Sequence, residues 1–325
     1  MNTRTLGKTG YQVSEIGLGC WQLGGDFGAM GDETARDILK TARSFDVNFW
    51  DTADVYGGGE SERRIGGFAD KKSVLVATKL GRGSQFEGMA KYDRRRVKES
   101  LTGSIKRLGV EVLDLAQLHC IPIEVLRDGE IFTWMDDMQS EGVIRHWGAS
   151  VQTVEEGMLA MRSANCASLQ TIFNLFRQDA VETLLPAAQK ANVGIIVRLP
   201  LASGLLSGKF TKDTKFATED HRSYNRDGQH FFVGETFSGL PFETGVKLAD
   251  QLKQMAPKGT TLAHLALRWI LDQKAVSTVI AGVTKPTQLK DNVEVSRMDP
   301  LPDALVEKLK DFYIEKVRPQ VRGGI

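Results

Sequence analysis

Apolar residues follow two alternating rhythms along the chain. Short runs rich in Val, Ile and Leu, at 16–19, 47–50, 74–77, 112–115, 144–148, 169–172, 194–197 and 278–280, read as buried strands. Longer stretches at helical spacing separate them. Val97, Leu101, Ile105 and Leu108 fall on one helical face, with Gly109 placed to end it. Asp32 is positioned to cap a helix carrying Ile38, Leu39 and Ala42, and Thr260 or Thr261 to cap one over 262–271. Thr284 or Lys285-Pro286 opens a further helix that ends near Val295, with proline in its first turn. Before all of these, residues 4–6 and 13–14 flank a turn containing Gly7 and Gly10, which predicts a β-hairpin.

Eight strands separated by helices predict an α/β fold, a closed parallel (β/α)8 TIM barrel with an N-terminal β-hairpin, as one domain over 1–325. The alternative is an open doubly wound sheet with a dinucleotide loop after its first strand. Gly17-Leu18-Gly19 is followed by Cys20-Trp21-Gln22, and the third glycine of that loop is missing. Residues 201–240 are rich in Gly, Lys, Arg and aromatics and follow the seventh strand. A segment that long predicts a functional loop on the catalytic face of a barrel.

Composition narrows the partners. The 325 residues are 41% apolar, enough for a large core, which excludes a disordered chain. Lys plus Arg number 42 against 41 Asp plus Glu, so the formal charge is +1 and nothing global attracts nucleic acid or an anionic membrane. No apolar run reaches the roughly 18 residues of a membrane span, and the amino terminus has no apolar signal core. Cys20, Cys120 and Cys166 are too few and scattered for a disulfide framework, which predicts reduced thiols and a cytoplasmic location. No heptad run or interface motif appears, and a monomer is expected.

The predicted strand ends carry chemistry. In a parallel barrel, polar residues at the carboxyl ends of strands point into the site. Here those ends offer Asp51, Lys79, His119 and Ser150, and Tyr56 follows Asp51 in a Gly-rich loop. Taken singly, each has a bland role: a turn aspartate, a solvated lysine, a core histidine, a packing tyrosine. Their occurrence at successive strand ends favours a proton-transfer set. Reducing a carbonyl by hydride transfer leaves an alkoxide that needs a proton. A phenol is a reluctant acid at pH 7, and an adjacent ammonium, Lys79, is expected to lower its pKa. Asp51 would fix Lys79, and His119 would orient the carbonyl.

The segment from Asn48 through Asp51-Thr52-Ala53-Asp54-Val55-Tyr56-Gly57 to Gly59-Glu60-Ser61-Glu62 and Ile65-Gly66 resembles the first signature of the aldo-keto reductases. Ser100-Leu101, Ile105-Lys106-Arg107-Leu108-Gly109-Val110, Leu113-Asp114-Leu115 and Leu118-His119 resemble the second. Ala77-Thr78-Lys79, Gly148-Ala149-Ser150, Gln170 with Asn174, the run 200–209, and Ala281-Gly282-Val283-Thr284-Lys285-Pro286 with Gln288 and Asn292 follow in the family's order.

This resemblance implies an NADP(H)-dependent reductase of aldehydes and ketones. Tyr56 would be the proton donor, with Asp51, Lys79 and His119 completing the catalytic set. Cys20 and Trp21 would border the cofactor, and Ser150 and Gln170 would hold the nicotinamide carboxamide. Pro200, Leu201, Ser203, Gly204, Leu205, Ser207 and Lys209 would wrap the pyrophosphate. Gly282, Thr284, Lys285, Gln288 and Asn292 would face the adenosine end, with Lys285, Lys209 and Arg222 the cations available to a 2′-phosphate.

Two departures stand out. Where the family usually stacks an aromatic ring on the nicotinamide, this chain has Arg198, whose guanidinium either stacks there or turns aside to an acidic residue or a cofactor phosphate. The residue after Ser150, often Asn, is Val151. Trp21, Phe27, Met30, Phe86, Met89, Ile121, Ile123, Phe231, Phe232 and Phe237 are candidate walls of an apolar substrate pocket. With five histidines and no His-x-His pair, a metal-dependent barrel hydrolase is disfavoured and no metal is expected. A non-catalytic regulatory subunit that binds NADP tightly remains compatible with the same motifs.

Overall fold

The structure is a computed structural model that describes residues 1–25, 27–70, 73–88 and 91–324. Two short antiparallel strands, β1 (Thr3–Thr5) and β2 (Gln12–Ser14), form the expected hairpin around a 3-10 turn at Gly7–Thr9. Eight parallel strands then close a barrel: β3 (Ile16–Gly19), β4 (Phe49–Asp51), β5 (Leu75–Leu80), β6 (Leu113–His119), β7 (Ile144–Val151), β8 (Cys166–Ile172), β9 (Gly194–Arg198) and β10 (Val276–Gly282). β10 pairs with both β9 and β3, so the barrel itself has no open edge.

Helices α1 (Asp32–Ser44), α2 (Glu60–Gly66), α3 (Arg94–Leu108), α4 (Ile123–Asp128), α5 (Glu130–Ser140), α6 (Val154–Ala160) and α7 (Leu184–Lys190) follow the first six barrel strands. After β9 come α8 (His221–Tyr224), α9 (Phe242–Met255) and α10 (Leu262–Leu271), and after β10 come α11 (Pro286–Glu294) and α12 (Asp303–Phe312). Gly109 ends α3 in the left-handed conformation, and Thr261 caps α10 by accepting from His264 N at 3.1 Å, both as the pattern predicts. Asp32 is a correction. Gly31 is the N-cap of α1, and Asp32 is its first residue, where its charge suits the helix dipole and it pairs with Arg64 at 2.7 Å.

Two apolar layers result. The main core lies between barrel and helices, and a smaller cluster of Phe49, Ala77, Leu115, Ile196 and Ile280 fills the barrel's interior. Leu6 and Val13 of the hairpin join that inner cluster and plug the amino-terminal end. The carboxyl ends of the strands are thereby the open end. The 201–240 segment is more ordered than a plain loop. It contains 3-10 turns at Ala202–Ser207, Val233–Glu235 and Phe237–Gly239 besides α8.

Candidate active site

Parallel register sets the site. Asp51 is opposite Gly19 and Ala77, His119 is opposite Ser150, and Ser150 is opposite Gln170. Their side chains therefore converge at one end of the barrel. Lys79 is 1% exposed, and its ammonium spends three donors locally: Asp51 Oδ2 at 2.5 Å, Thr52 O at 2.7 Å and Tyr56 Oη at 3.2 Å. The other Asp51 oxygen accepts from Gln117 Nε2 at 2.9 Å and Gln170 Nε2 at 2.7 Å. An ion pair this buried is favourable only when its remaining polar positions are satisfied, and here they are.

Tyr56 is placed by its loop. Gly57, Gly58 and Gly59 all have positive φ, and a Cβ on Gly57 would sit 2.3 Å from Gly24 O. That close approach brings the tyrosine loop against the turn after β3, where the Trp21 and Tyr56 rings stack at 5.7 Å and 20°. The His119 ring meets Tyr56 edge-on at 5.8 Å.

The protonation pattern corrects one expectation. Burial raises the Tyr56 phenol above its usual value, with the Lys79 ammonium working against that rise, so the net shift is upward rather than downward. Burial pulls Lys79 down, but Asp51 and Tyr56 outweigh it and hold it charged. Burial, then the cations Arg82, Lys79 and Arg198, drive His119 well below 6.5, so its imidazole is neutral at pH 7. Its Nδ1 has no partner among the described residues.

A second charged cluster lines the same cavity. Glu235 is 3% exposed, and both its oxygens accept from Arg82, Nη1 to Oε2 at 3.4 Å and Nη2 to Oε1. Gln152 Nε2 donates to Oε1 at 3.2 Å, and Arg198 Nη1 is 3.6 Å from Oε2. Although burial pushes its carboxyl up, Arg82 and Arg198 hold Glu235 down at about 2. Arg198 turns aside in this structure. Its Nη2 donates to Val151 O at 3.1 Å and Cys120 Sγ at 3.4 Å, while its Nε has no partner among the described residues.

Both clusters line one cavity. Its polar wall includes Asp51, Tyr56, Arg82, His119, Gln170, Arg198 and Glu235, and its apolar wall is Trp21, Phe27, Val55, Tyr224, Phe231 and Ile280. Of the predicted walls, Trp21, Phe27 and Phe231 are there. Phe86, Ile121 and Phe237 instead belong to the main core, because their loops fold back onto it. Met30 packs against that core, Ile123 begins α4, and Phe232 lies under Arg177 at 5.4 Å. Met89 lies outside the described residues. Gln117, Arg82 and Glu235 were not predicted. Gln117 carried a signal, since it is two residues before His119 and so faces the same way on β6.

The residues assigned to a dinucleotide fit one. Ala202, Ser203 and Gly204 have φ of 48°, 54° and 100°, a run that curls the backbone into a concavity suited to phosphate oxygens. The Arg222 guanidinium stands beside that turn, its Nη1 3.5 Å from Ser203 O, and is braced by Asp220 at 2.5 Å and the Phe216 ring at 4.5 Å. Pro200, Cys20 and Gly282 line the cavity, with Cys20 contributing backbone since its side chain is buried and its Sγ donates to Leu18 O. Gln170 Oε1 accepts from Ser150 Oγ at 3.4 Å. Lys285 is the exposed N-cap of α11, Gln288 Oε1 accepts from Thr284 N and Lys285 N at 2.7 and 3.1 Å, and Asn292 is buried on the same helix. Among the described residues no group of three His, Cys, Asp or Glu could hold a metal ion, and no helix is long and apolar enough to cross a membrane.

At the open end of the barrel a buried Lys–Asp pair meets a tyrosine, an arrangement chemically able to hand a proton to a substrate oxygen. The Aldo/keto reductase family model matches residues 15–314, and the chain belongs to that family. It is 29% identical over 308 residues to the Aldo-keto reductase YhdN of Bacillus subtilis, covering 91% of this chain and 89% of that one. It is 30% identical over 324 residues to a probable voltage-gated potassium channel subunit beta of Oryza sativa, covering 93% of each. Among solved structures it is similar to the holo form of aldo-keto reductase AKR11C1 from Bacillus halodurans, with a TM-score of 0.77 and 25% identity over 96% of each chain. The glycerol dehydrogenase AKR11B4 from Gluconobacter oxydans gives a TM-score of 0.76 at 28% identity, over 97% of this chain and 96% of the other. The protein is an oxidoreductase of carbonyl compounds, in a family whose reaction uses a nicotinamide cofactor.

Proposed function

We propose that the chain is an NADPH-dependent reductase of small aldehydes and ketones, working in the cytoplasm as a monomer. The observation that carries this reading is the bridge made by Lys79 Nζ between Asp51 and Tyr56 at the base of a cavity with an apolar wall. NADPH, when bound, supplies the hydride that adds to the carbonyl carbon. Tyr56 Oη gives its proton to the carbonyl oxygen as that oxygen becomes an alkoxide. Lys79 stabilises the phenolate left behind, and Asp51 keeps Lys79 in place. The phenol stays protonated at rest and so carries the proton that the far more basic alkoxide takes, and the ammonium beside it stabilises the phenolate as it forms. Neutral His119 orients the carbonyl without competing as an acid.

Ser150 and Gln170 hold the carboxamide through Ser150 Oγ and Gln170 Oε1, whose long mutual hydrogen bond of 3.4 Å gives way to it. The 200–209 turn takes the pyrophosphate, with Pro200, Leu201, Ser203, Gly204, Leu205, Ser207 and Lys209 as its contacts, beside Cys20 and Trp21. Gly282, Thr284, Lys285, Gln288 and Asn292 border the adenosine, and Lys285 or Arg222 takes the 2′-phosphate. The test is a panel of aliphatic and aromatic aldehydes assayed by NADPH and NADH consumption, where measurable turnover with NADPH is the expected result. A second reading has its own support in the rice and Arabidopsis thaliana relatives named as potassium channel β subunits. A regulatory subunit would co-purify with cofactor and turn over negligibly across the whole panel.

A further inference from the structure

Glu235 belongs to none of the recognised motifs, yet its carboxylate is buried in the wall that also holds Tyr56, His119 and Gln170. Its backbone is fixed as well. Ser203 Oγ donates to Glu235 O at 3.2 Å and accepts from Phe237 N at 3.2 Å. The C-terminal residues brace the same segment, with Arg322 N and Nε donating to Gly239 O at 3.1 and 2.9 Å. Glu235 is thus a fixed charge. Arg82 approaches it from the end of β5, and Arg198 from the end of β9.

The charges in this wall can be counted. Asp51 and Lys79 neutralise each other, which leaves Arg82 and Arg198 as cations and Glu235 as the anion facing both. Removing Glu235 would leave two guanidinium groups uncompensated around the place where the carboxamide-binding residues Ser150 and Gln170 point. The oxidised nicotinamide ring is a cation and the reduced ring is neutral. A fixed anion in this wall therefore acts differently on the two.

We propose that Glu235 is a positioning residue that offsets and orients Arg198, and so sets the relative affinity of the site for oxidised and reduced nicotinamide. This rests on the reductase reading above. Without Glu235 the wall repels the oxidised ring, and a residue acting only as a latch for the 201–240 segment would weaken both forms alike.

The experiment measures dissociation constants of NADP⁺ and NADPH for the wild type and for E235Q, E235D and R198Q, by quenching of intrinsic tryptophan fluorescence. Glutamine keeps the size of the side chain and its hydrogen bond with Gln152 while removing the charge. E235Q is expected to raise the NADP⁺ to NADPH ratio about tenfold, as one unit charge several ångströms away in a partly screened site allows. E235D, which retains the charge, should leave the ratio within about twofold of the wild type. R198Q should move the ratio the opposite way, which keeps the proposal testable if E235Q does not fold. An unmoved ratio in E235Q, or in R198Q, overturns the role assigned to Glu235. Wild-type protein that binds neither form would instead overturn the reductase reading.

Discussion

Two ion-paired clusters contribute to the wall of one cavity, and they are assembled differently. The first joins Asp51, Lys79 and Tyr56 from two adjacent strands and the loop between them, within a span of about thirty residues. The second joins Arg82, Arg198 and Glu235 from two distant strands and a long returning segment. In the first, every donor of Lys79 is used and both oxygens of Asp51 are hydrogen-bonded. In the second, Arg198 Nε is left without a partner among the described residues. The first cluster is built to keep one geometry, whereas the second leaves one buried donor unspent. Chemistry that must be repeated identically suits the former, and adjustment to a bound molecule suits the latter.

Breaking the first cluster should cost most. Lys79→Met leaves Asp51 buried without its counter-charge, and loss of one partner from such a pair typically costs about 3–5 kcal/mol. Denaturant unfolding should register that loss directly, alongside abolished turnover. The adenosine end offers a smaller effect. NADPH should bind more tightly than NADH, since one charge-assisted hydrogen bond to the 2′-phosphate is worth roughly 1.5–3 kcal/mol. Lys285→Ala or Arg222→Ala should narrow the difference measured by titration, and equal affinities in the wild type would remove the phosphate contact from the account.

Buried carboxyls near the two clusters also titrate in opposite senses. Asp54, in the tyrosine loop, is pushed up to about 7 by burial, against the hydrogen bond from Ser100 Oγ at 2.9 Å. Between its unfolded value near 3.9 and about 7 the folded form binds the extra proton, so this group lowers stability as pH rises through that window. Glu235 is held down at about 2, so its contribution is present above roughly 4.3 and is lost as pH falls toward 2. Asp54→Asn should flatten the stability profile between about pH 4 and 7, and Glu235→Gln should flatten it only below about pH 4.3. Thermal midpoints across pH separate the two, and a profile unchanged in Asp54→Asn would show that its carboxyl is not protonated there.

The same contrast explains what the sequence disclosed. All eight barrel strands were legible because a buried parallel strand is a short apolar run, and their ends delivered Asp51, Lys79, His119 and Ser150. Gln117 was legible in principle, by its period-two relation to His119. Glu235 was not, because a loop carries no periodicity and its depth depends on how 201–240 folds back. Phe237 shows the reverse: an aromatic in that segment suits a pocket wall by sequence, yet it is fully buried among Phe216 and Phe242. The upward shift of the Tyr56 phenol is hidden from the sequence for a related reason. The neighbouring lysine could be read from spacing, but the extent of burial could not.

The most direct test of the central claim is single-turnover reduction of an aldehyde by Tyr56→Phe, with NADPH affinity measured on the same protein. Removing the hydroxyl should slow the chemical step by about 10²–10⁴-fold while leaving NADPH affinity nearly unchanged. A single-turnover rate close to wild type would contradict the assignment of Tyr56 as the proton donor.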